Sequence, residues 1–268
     1  MYDAKSMGIS RRRVRLDQPE RWVYNRMAEA YSARPAYPDA LVSRLSELAG
    51  ASPSHVLDLG AGIGHLSLPL AALGHRVTAL EPAHAMLEQL QSRASEHASI
   101  ACVHAAAEAL PLPDACVDLA VIADALHFLD AHLTGSELAR VLDRRGVLAI
   151  VQVELGTSPF MQALSDLMRA SAPRRPRRID GAMTQLATLA GVELSLLATY
   201  ELEQQVPIAQ VERILGSISF IGPAMNAERF EAFCARLRAI EHESVWHTTL
   251  RLWAGRRFAS QSHFSDAP

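Results

Sequence analysis

The feature that most limits what this chain can fold into is the stretch Val56-Leu57-Asp58-Leu59-Gly60-Ala61-Gly62-Ile63-Gly64. An apolar run from His55 to Leu59 reads as a buried strand, and the apolar helix pattern of Ile63, Leu66, Leu68 and Leu70 follows at once. Three glycines at alternate positions turn the chain between the two. Lacking a Cβ, they admit φ > 0 and let the backbone come close to a ligand. The helix start then offers N–H groups with no partner inside the helix. The stretch reads as a nucleotide-type site on a parallel α/β sheet.

Its spacing separates one nucleotide class from another. A dinucleotide fingerprint, G-x-G-x-x-G, sets its third glycine three residues after the second. Here Gly64 comes two after Gly62, and Asp58 precedes Gly60 by two. Beside a pyrophosphate that carboxylate is repelled, because like unit charges ~4 Å apart cost roughly 4 kcal/mol at an effective ε of 20. A ligand carrying an ammonium and a sulfonium is attracted instead. A second apolar strand, Arg76 to Leu80, ends in Glu81-Pro82, where an acid can accept both ribose hydroxyls. Together the two acids favour S-adenosylmethionine over NAD.

The motifs Asp58-x-Gly60-x-Gly62-x-Gly64, Glu81-Pro82-x-x-x-Met86-Leu87 and Ala107-Glu108-Ala109-Leu110-Pro111 followed by Asp118 resemble the class I S-adenosylmethionine-dependent methyltransferases. The match is nearest the small-molecule subgroup, trans-aconitate-methyltransferase-like or methyltransferase type 11, which opens with a Tyr…Arg-Pro-x-Tyr-Pro segment. It covers roughly residues 24 to 153. The resemblance implies a Rossmann-like, seven-stranded, mostly parallel sheet with helices on both faces, an antiparallel last strand and a helical lid. It implies cofactor contacts at Asp58, Gly60, Ala61, Gly62, Glu81, Pro82, Met86, Ala107, Glu108 and Ala123, with S-adenosylhomocysteine as product. An acid often found in the family where Ala106 stands, to take the adenine amino group, is missing here. The backbone near Ala107, or Glu108, then has to hold the base. Glu108 can equally cap the turn before Leu110-Pro111.

The rest of the chain is divided on the same reading. Residues 1–38 form an N-terminal arm and a cleft-covering helix, and 39–153 the cofactor-binding core. Residues 154–192 and 207–242 are lid or substrate-cap insertions, 193–206 and 243–257 the closing strands, and 258–268 a tail. Strands are expected at Ser99 to Val103, Val117 to Ala123 and Val147 to Val153, with Asp143-Arg144-Arg145-Gly146 as a turn. Helices are expected at Val211 to Ile221 and Arg229 to Ile240. The Arg-Pro-x-Tyr-Pro segment is implied to fold over the cleft, which makes Tyr31, Arg34 and Tyr37 substrate candidates. An aromatic stripe at helical spacing can equally be packing. Trp246 and His247, on the β-rich run Val245 to Trp253, can face core or pocket.

Composition excludes several classes. A net charge of −3 over 268 residues gives no general affinity for nucleic acid or membrane. The three cysteines, Cys102, Cys116 and Cys234, are far apart, so neither a disulfide framework nor a CxxC metal site is expected, and they fit a reducing cytoplasm. No residues are spaced as metal ligands, and no run reaches the ~18 apolar residues of a membrane span. Arginines crowd at 11–15 and again at 174–178. The first is either a solvated arm or a grip for an anionic substrate or a partner's acidic face, and the second either a solvated loop or a seat for a carboxylate, a phosphate or a carrier protein's phosphopantetheine arm.

Methyl transfer to a small-molecule acceptor, most simply on oxygen, is the activity this reading expects. His127, just past the fourth strand, is the expected base for a hydroxyl acceptor, or else a structural histidine. A carboxylic acid would need no base, being ionised already. Two rivals remain on these residues: a cofactor-binding fold that catalyses a non-methylating biosynthetic step, and a non-enzymatic binding or regulatory module. Oligomeric state is not encoded in any motif.

Overall fold

The computed structural model describes residues 24–25, 27–172 and 179–258. The arginine clusters, Trp22 and the tail from Gln261 lie outside them. In chain order the elements are α1 (Ala28–Tyr31), α2 (Asp39–Ala49), β1 (His55–Leu59), α3 (Ser67–Ala72), β2 (Arg76–Leu80), α4 (His84–Arg93), β3 (Ile100–Val103) and β4 (Val117–Ala123). A single 3₁₀ turn (Leu126–Phe128) leads to α5 (Ala131–Val141), β5 (Leu142–Leu155), α6 (Pro159–Ser171), α7 (Ile179–Ala190), β6 (Ser195–Gln205), α8 (Ile208–Gly216), α9 (Ala227–Arg238) and β7 (Val245–Arg256).

One seven-stranded sheet runs β3-β2-β1-β4-β5-β7-β6. All pairings among the first five strands are parallel, and β7 lies antiparallel to both β5 and β6. This is the Rossmann-like arrangement with an antiparallel last strand. Each central strand feeds two cores by simple alternation. Leu57 and Leu59 of β1 join Leu138 and Val141 of α5 and Leu186 of α7 on one face. Val56 joins Leu41 and Leu45 of α2, Leu70 of α3 and Leu90 of α4 on the other. Burial on both faces explains why these strands are mostly apolar, broken only by single polar residues such as Asp58, Thr78 and Asp118. Chain order reverses between β1 and β4, so the ligand crevice of such a sheet lies beyond their carboxyl ends.

A third core roofs that end of the sheet. Phe160 and Leu164 of α6, Ile214 and Leu215 of α8, and Phe233 and Leu237 of α9 are buried together with Trp246. Each side chain of this kind gains ~1.5–3 kcal/mol on full burial. Two of the helices begin on side-chain caps that the sequence supplies: Ser158 accepts the Met161 N–H, and Asn226 accepts that of Arg229.

Four expectations change. The helix after the glycine turn starts at Ser67 rather than Ile63, because residues 60–66 are occupied by the turn itself. Asp143-Arg144-Arg145-Gly146 is no turn: α5 runs straight into β5, whose early register shift against β4 absorbs these residues, while the Arg257 N–H ties down the Gly146 carbonyl at 2.9 Å. Of the 154–192 stretch placed in the lid, α7 packs on α5 against the sheet. Its apolar face (Met183, Leu186, Ala187, Ala190) is buried there, and Gly135 lets the helices approach so closely that a Cβ would sit 2.8 Å from the Leu186 carbonyl oxygen. The helix expected to reach Ile221 ends at Gly216 and gives way to turns.

Candidate active site

The glycine turn is pinned to the neighbouring strand. Gly60 and Ala61 N–H both donate to the Leu80 carbonyl, at 2.8 and 3.0 Å. Gly60 and Gly62 have φ of +73° and +56°, and a Cβ on Gly60 would lie 2.9 Å from that of Ala125. Only glycine fits this bend without strain. Over the turn lies the N-terminal segment, where Met27, Ala28 and Tyr31 pack on Ile63 and Met86.

Two carboxylates close the bend from either side. Glu81, 6% exposed, accepts the Gly62 N–H at 2.9 Å on one oxygen and the Ala83 N–H at 2.8 Å on the other. Those bonds fix the carboxylate at the edge of the cleft. Asp58, 2% exposed, accepts the Ser67 hydroxyl at 2.6 Å. Burial pushes its carboxyl up to about 6, with the Ser67 O–H and N–H opposing the rise. A buried acid held this far from its ordinary value is suited to a cationic partner.

Cavities place the expected cofactor residues in two adjoining spaces. Asp58, Gly60, Ala61 and Ala123 line a small chamber with Tyr31, Tyr37 and His65. Gly62, Glu81, Pro82, Met86 and Ala107 line the neighbouring cleft, which Tyr24 and Phe128 cap edge-on with ring centroids 5.0 Å apart. A glycine bend with no Cβ in the way, a hydroxyl-accepting Glu81, a buried acid and apolar walls fit an adenosyl amino acid. Glu108 does not belong to the cleft. Its carboxylate accepts the Asp130 N–H at 3.0 Å, while the Leu110 N–H goes to Glu137 at 2.6 Å. One oxygen of Glu108 therefore holds the start of α5.

A second cleft of about 290 Å³ opens beside the first. Its far wall is apolar, with Leu155, Met168, Ile214, Phe220, Trp246 and Leu250, and its near wall carries Tyr24, Tyr31, Arg34, Tyr37, His65, Asp124 and His127. Burial raises the phenols of Tyr24, Tyr31 and Tyr37, so all three stay protonated. Burial, then Arg93 and Arg34, lowers His65 to about 4, which keeps its imidazole neutral at physiological pH. His127, on the 3₁₀ turn, rests against Phe128 with centroids 3.8 Å apart and faces this cleft alone.

Arg34 binds the walls together. Its Nε donates to the Ser217 hydroxyl at 2.9 Å and its Nη2 to the Ser217 carbonyl at 3.0 Å. Nη1 lies 3.3 Å from Asp124 and 3.4 Å from the Tyr31 hydroxyl, and the guanidinium stacks over the Tyr31 ring at 4.3 Å. It thus joins the N-terminal segment, the end of β4 and the turn after α8.

Strand alternation resolves the last pair. Trp246, Thr248 and Leu250 of β7 point into the cleft. His247 points away, to Glu201 at 2.8 Å and Glu203 at 3.8 Å, and is not a substrate contact. Sequence reasoning overlooked His65, and it placed Asp124 only within the edge 123–128 expected to face the reacting methyl group, with no role of its own. Both carried a signal: one follows Gly64, the other is an acid at a strand tip, as Asp58 and Glu81 are. Ser217 carried none, since its contact with Arg34 depends on where the helix Ile208–Gly216 packs.

Residues 57–150 match the family described as "Methyltransferase domain". An uncharacterized methyltransferase of Mycobacterium tuberculosis is 38% identical over 118 residues, 44% of this chain and 46% of its own. The chain thus spans about half the length of that relative. A malonyl-[acyl-carrier protein] O-methyltransferase of Geobacter sulfurreducens is 28% identical over 258 residues, 92% of each chain. Among solved structures, a proposed type II methyltransferase of Anaeromyxobacter dehalogenans superposes with a TM-score of 0.62 at 26% identity, covering 84% of this chain and 98% of its own. The [4+2]-cyclase SpnF, at 18% identity and a TM-score of 0.53 over 84% of this chain and 85% of its own, shares the fold alone.

Proposed function

We propose that the chain transfers a methyl group from S-adenosylmethionine to a small acceptor molecule, on oxygen, a reading supported by the match of residues 57–150 to the methyltransferase-domain family. The observation that carries the reading is the junction of the two clefts. Tyr24, Tyr31 and Asp124 line both of them, so a ligand in the glycine-bend cleft and one under the lid meet at these three side chains.

In this reading Asp58 takes the cofactor's ammonium and Glu81 its ribose hydroxyls. Pro82, Ala107 and Phe128 wall the adenine, which has no acid at Ala106. The cofactor supplies a methyl already activated by the sulfonium charge. The chain's own task is then to hold the acceptor in line with it and to keep water out. Positioning of that kind is worth ~7–11 kcal/mol of a barrier. The roof of α6, α8 and α9, tied to the N-terminal segment by Arg34 and by Gln210 on the Ala33 carbonyl at 3.2 Å, does both. Localisation in a reducing cytoplasm is supported by Cys102, Cys116 and Cys234 being free thiols; no helix of the described residues is long and apolar enough to cross a membrane.

A second reading is favoured by the Geobacter relative, which matches over almost the whole chain: an acid tethered to a carrier protein as acceptor. The test of the main reading is calorimetry with S-adenosylhomocysteine on the wild-type chain and on Asp58→Ala, followed by mass spectrometry of candidate acceptors. Tight binding lost in the variant and a gain of one methyl on the acceptor support it. A wild-type chain that does not bind, or turnover without release of S-adenosylhomocysteine, refutes it and leaves the non-methylating rivals.

A further inference from the structure

We propose that Asp124 is the residue that selects the acceptor, taking the hydrogen of an uncharged hydroxyl group carried on an apolar body. The inference rests on the methyl-transfer reading and narrows it to one acceptor class. Three independent observations lead there.

The first is strain. Asp124 has φ of +48°, the left-handed region, directly after the last residue of β4. A non-glycine residue held in such a conformation costs on the order of 1–3 kcal/mol and persists only where its surroundings impose it. Here the Asp124 N–H is fixed on the Val151 carbonyl at 2.9 Å, so β5 holds the residue in place. Glycine would satisfy the backbone without that cost, so the carboxylate is the part of the residue that the strain secures.

The second is place. Of the polar groups on the acceptor cleft, Tyr24, Tyr31 and Asp124 also line the cleft of Glu81 and Pro82, whereas His65 and His127 do not. Of these three, the two buried phenols keep their protons, which leaves the carboxylate to accept one. A proton acceptor for the reacting atom has to stand at that junction.

The third is charge. Arg34 is the one Lys or Arg among the described residues that lines the acceptor cleft, and it is committed to Ser217, Tyr31 and Asp124. A carboxylate acceptor would bring a second negative charge beside Asp124 and compete for an engaged cation. A hydroxyl instead donates to Asp124, and its body lies against Ile214, Phe220, Trp246 and Leu250. As the acceptor oxygen forms its bond to the methyl carbon, the carbon–sulfur bond breaks and its electron pair stays on sulfur. The hydroxyl proton passes to the Asp124 carboxylate and from there to solvent.

The experiment uses the full chain saturated with S-adenosylhomocysteine and two matched pairs of probes: 4-propylphenol with 4-propylbenzoic acid, and 1-octanol with octanoic acid. Affinities are read by ligand-observed NMR and calorimetry at pH 8. The hydroxyl member of each pair binds the wild type at least about tenfold more tightly than its acid, a difference of ~1.4 kcal/mol. In Asp124→Asn the gap closes while S-adenosylhomocysteine still binds. With S-adenosylmethionine supplied, any hydroxyl probe that is methylated loses ~10²–10⁴ in kcat in that variant. Should Asp124→Asn fail to fold, Asp124→Gly, which suits the backbone, replaces it with the same expected outcomes. Acids binding as well as their hydroxyl twins, no hydroxyl probe binding, or a gap that survives both variants overturns the proposal. A wild-type chain that takes up no S-adenosylhomocysteine is a different result: it removes the methyl-transfer reading, and this inference falls with it.

Discussion

Replacing Asp58 by Asn should make the ligand-free chain more stable and the cofactor site worse. Asp58 is fully enclosed, and burial lifts its carboxyl from an ordinary value near 4 to about 6. The folded value lies above the unfolded one, so between pH ~4 and ~6 the folded chain binds more protons and stability falls as pH rises. The ionised carboxylate therefore costs nothing below pH ~4. Above pH ~6 a shift of this size amounts to roughly 3 kcal/mol. An asparagine keeps an oxygen for the Ser67 hydroxyl (2.6 Å in the wild type) and carries no charge. At ~2–4 °C per kcal/mol, Asp58→Asn should raise Tm by up to ~6–12 °C at pH 8 and by almost nothing at pH 4. S-adenosylhomocysteine affinity should move the other way. Its ammonium favours the ionised acid, so wild-type binding tightens from pH 5 to 7 as the proton leaves, and the variant binds weakly with no such pH dependence. Thermal melts across pH 4 to 8 and calorimetry at three pH values test this. Melting curves that stay parallel at every pH, or a variant that binds like wild type, would refute both the buried charge and its role. The expected pattern is a site kept at a cost in stability.

Other perturbations separate the remaining roles. Glu81→Ala leaves the Gly62 and Ala83 N–H groups without their carboxylate. It should cost ~1–3 kcal/mol of stability and abolish cofactor binding in calorimetry, whereas Glu81→Gln should retain part of both. Arg34→Lys keeps the charge but not the fork that reaches Ser217 and Asp124 together. Hydrogen exchange in residues 208–222 should quicken while S-adenosylhomocysteine binding changes little; unaltered exchange would remove Arg34 as the tie between lid and N-terminal segment. Trp246→Ala should lose ~3–5 kcal/mol of stability and the affinity for apolar acceptors, and His247→Ala should leave acceptor affinity untouched. Equal effects at the two positions would show the β7 alternation to be wrong.

Local chemistry wrote much of this protein into its sequence. Alternating glycines after an apolar run can only be a close-approach bend, and acids at Asp58 and Glu81 on adjacent strand ends fall where the sheet leaves room for a ligand. Mostly apolar runs of strand length gave β1, β2 and β4 to the residue, because two-sided burial admits few polar residues. Where competing local signals existed, reading failed: Asp143-Arg144-Arg145-Gly146 has every mark of a turn, yet a register shift against β4 pulls it into a strand. The helix Ile179–Ala190 looked like part of an insertion because its apolar face has the same period whether it roofs a cleft or covers a sheet. Distance in sequence sets the remaining boundary. Arg34 meets Asp124 ninety positions and Ser217 one hundred and eighty-three positions away, and no periodicity encodes such a meeting. The sequence by itself determined which cofactor class the bend accepts, since that depends on backbone freedom and charge within a few residues. Which side chains line the second cleft was decided only when the helices around α8, the tip of β4 and the N-terminal segment packed together, since that depends on surfaces that exist only in the folded chain.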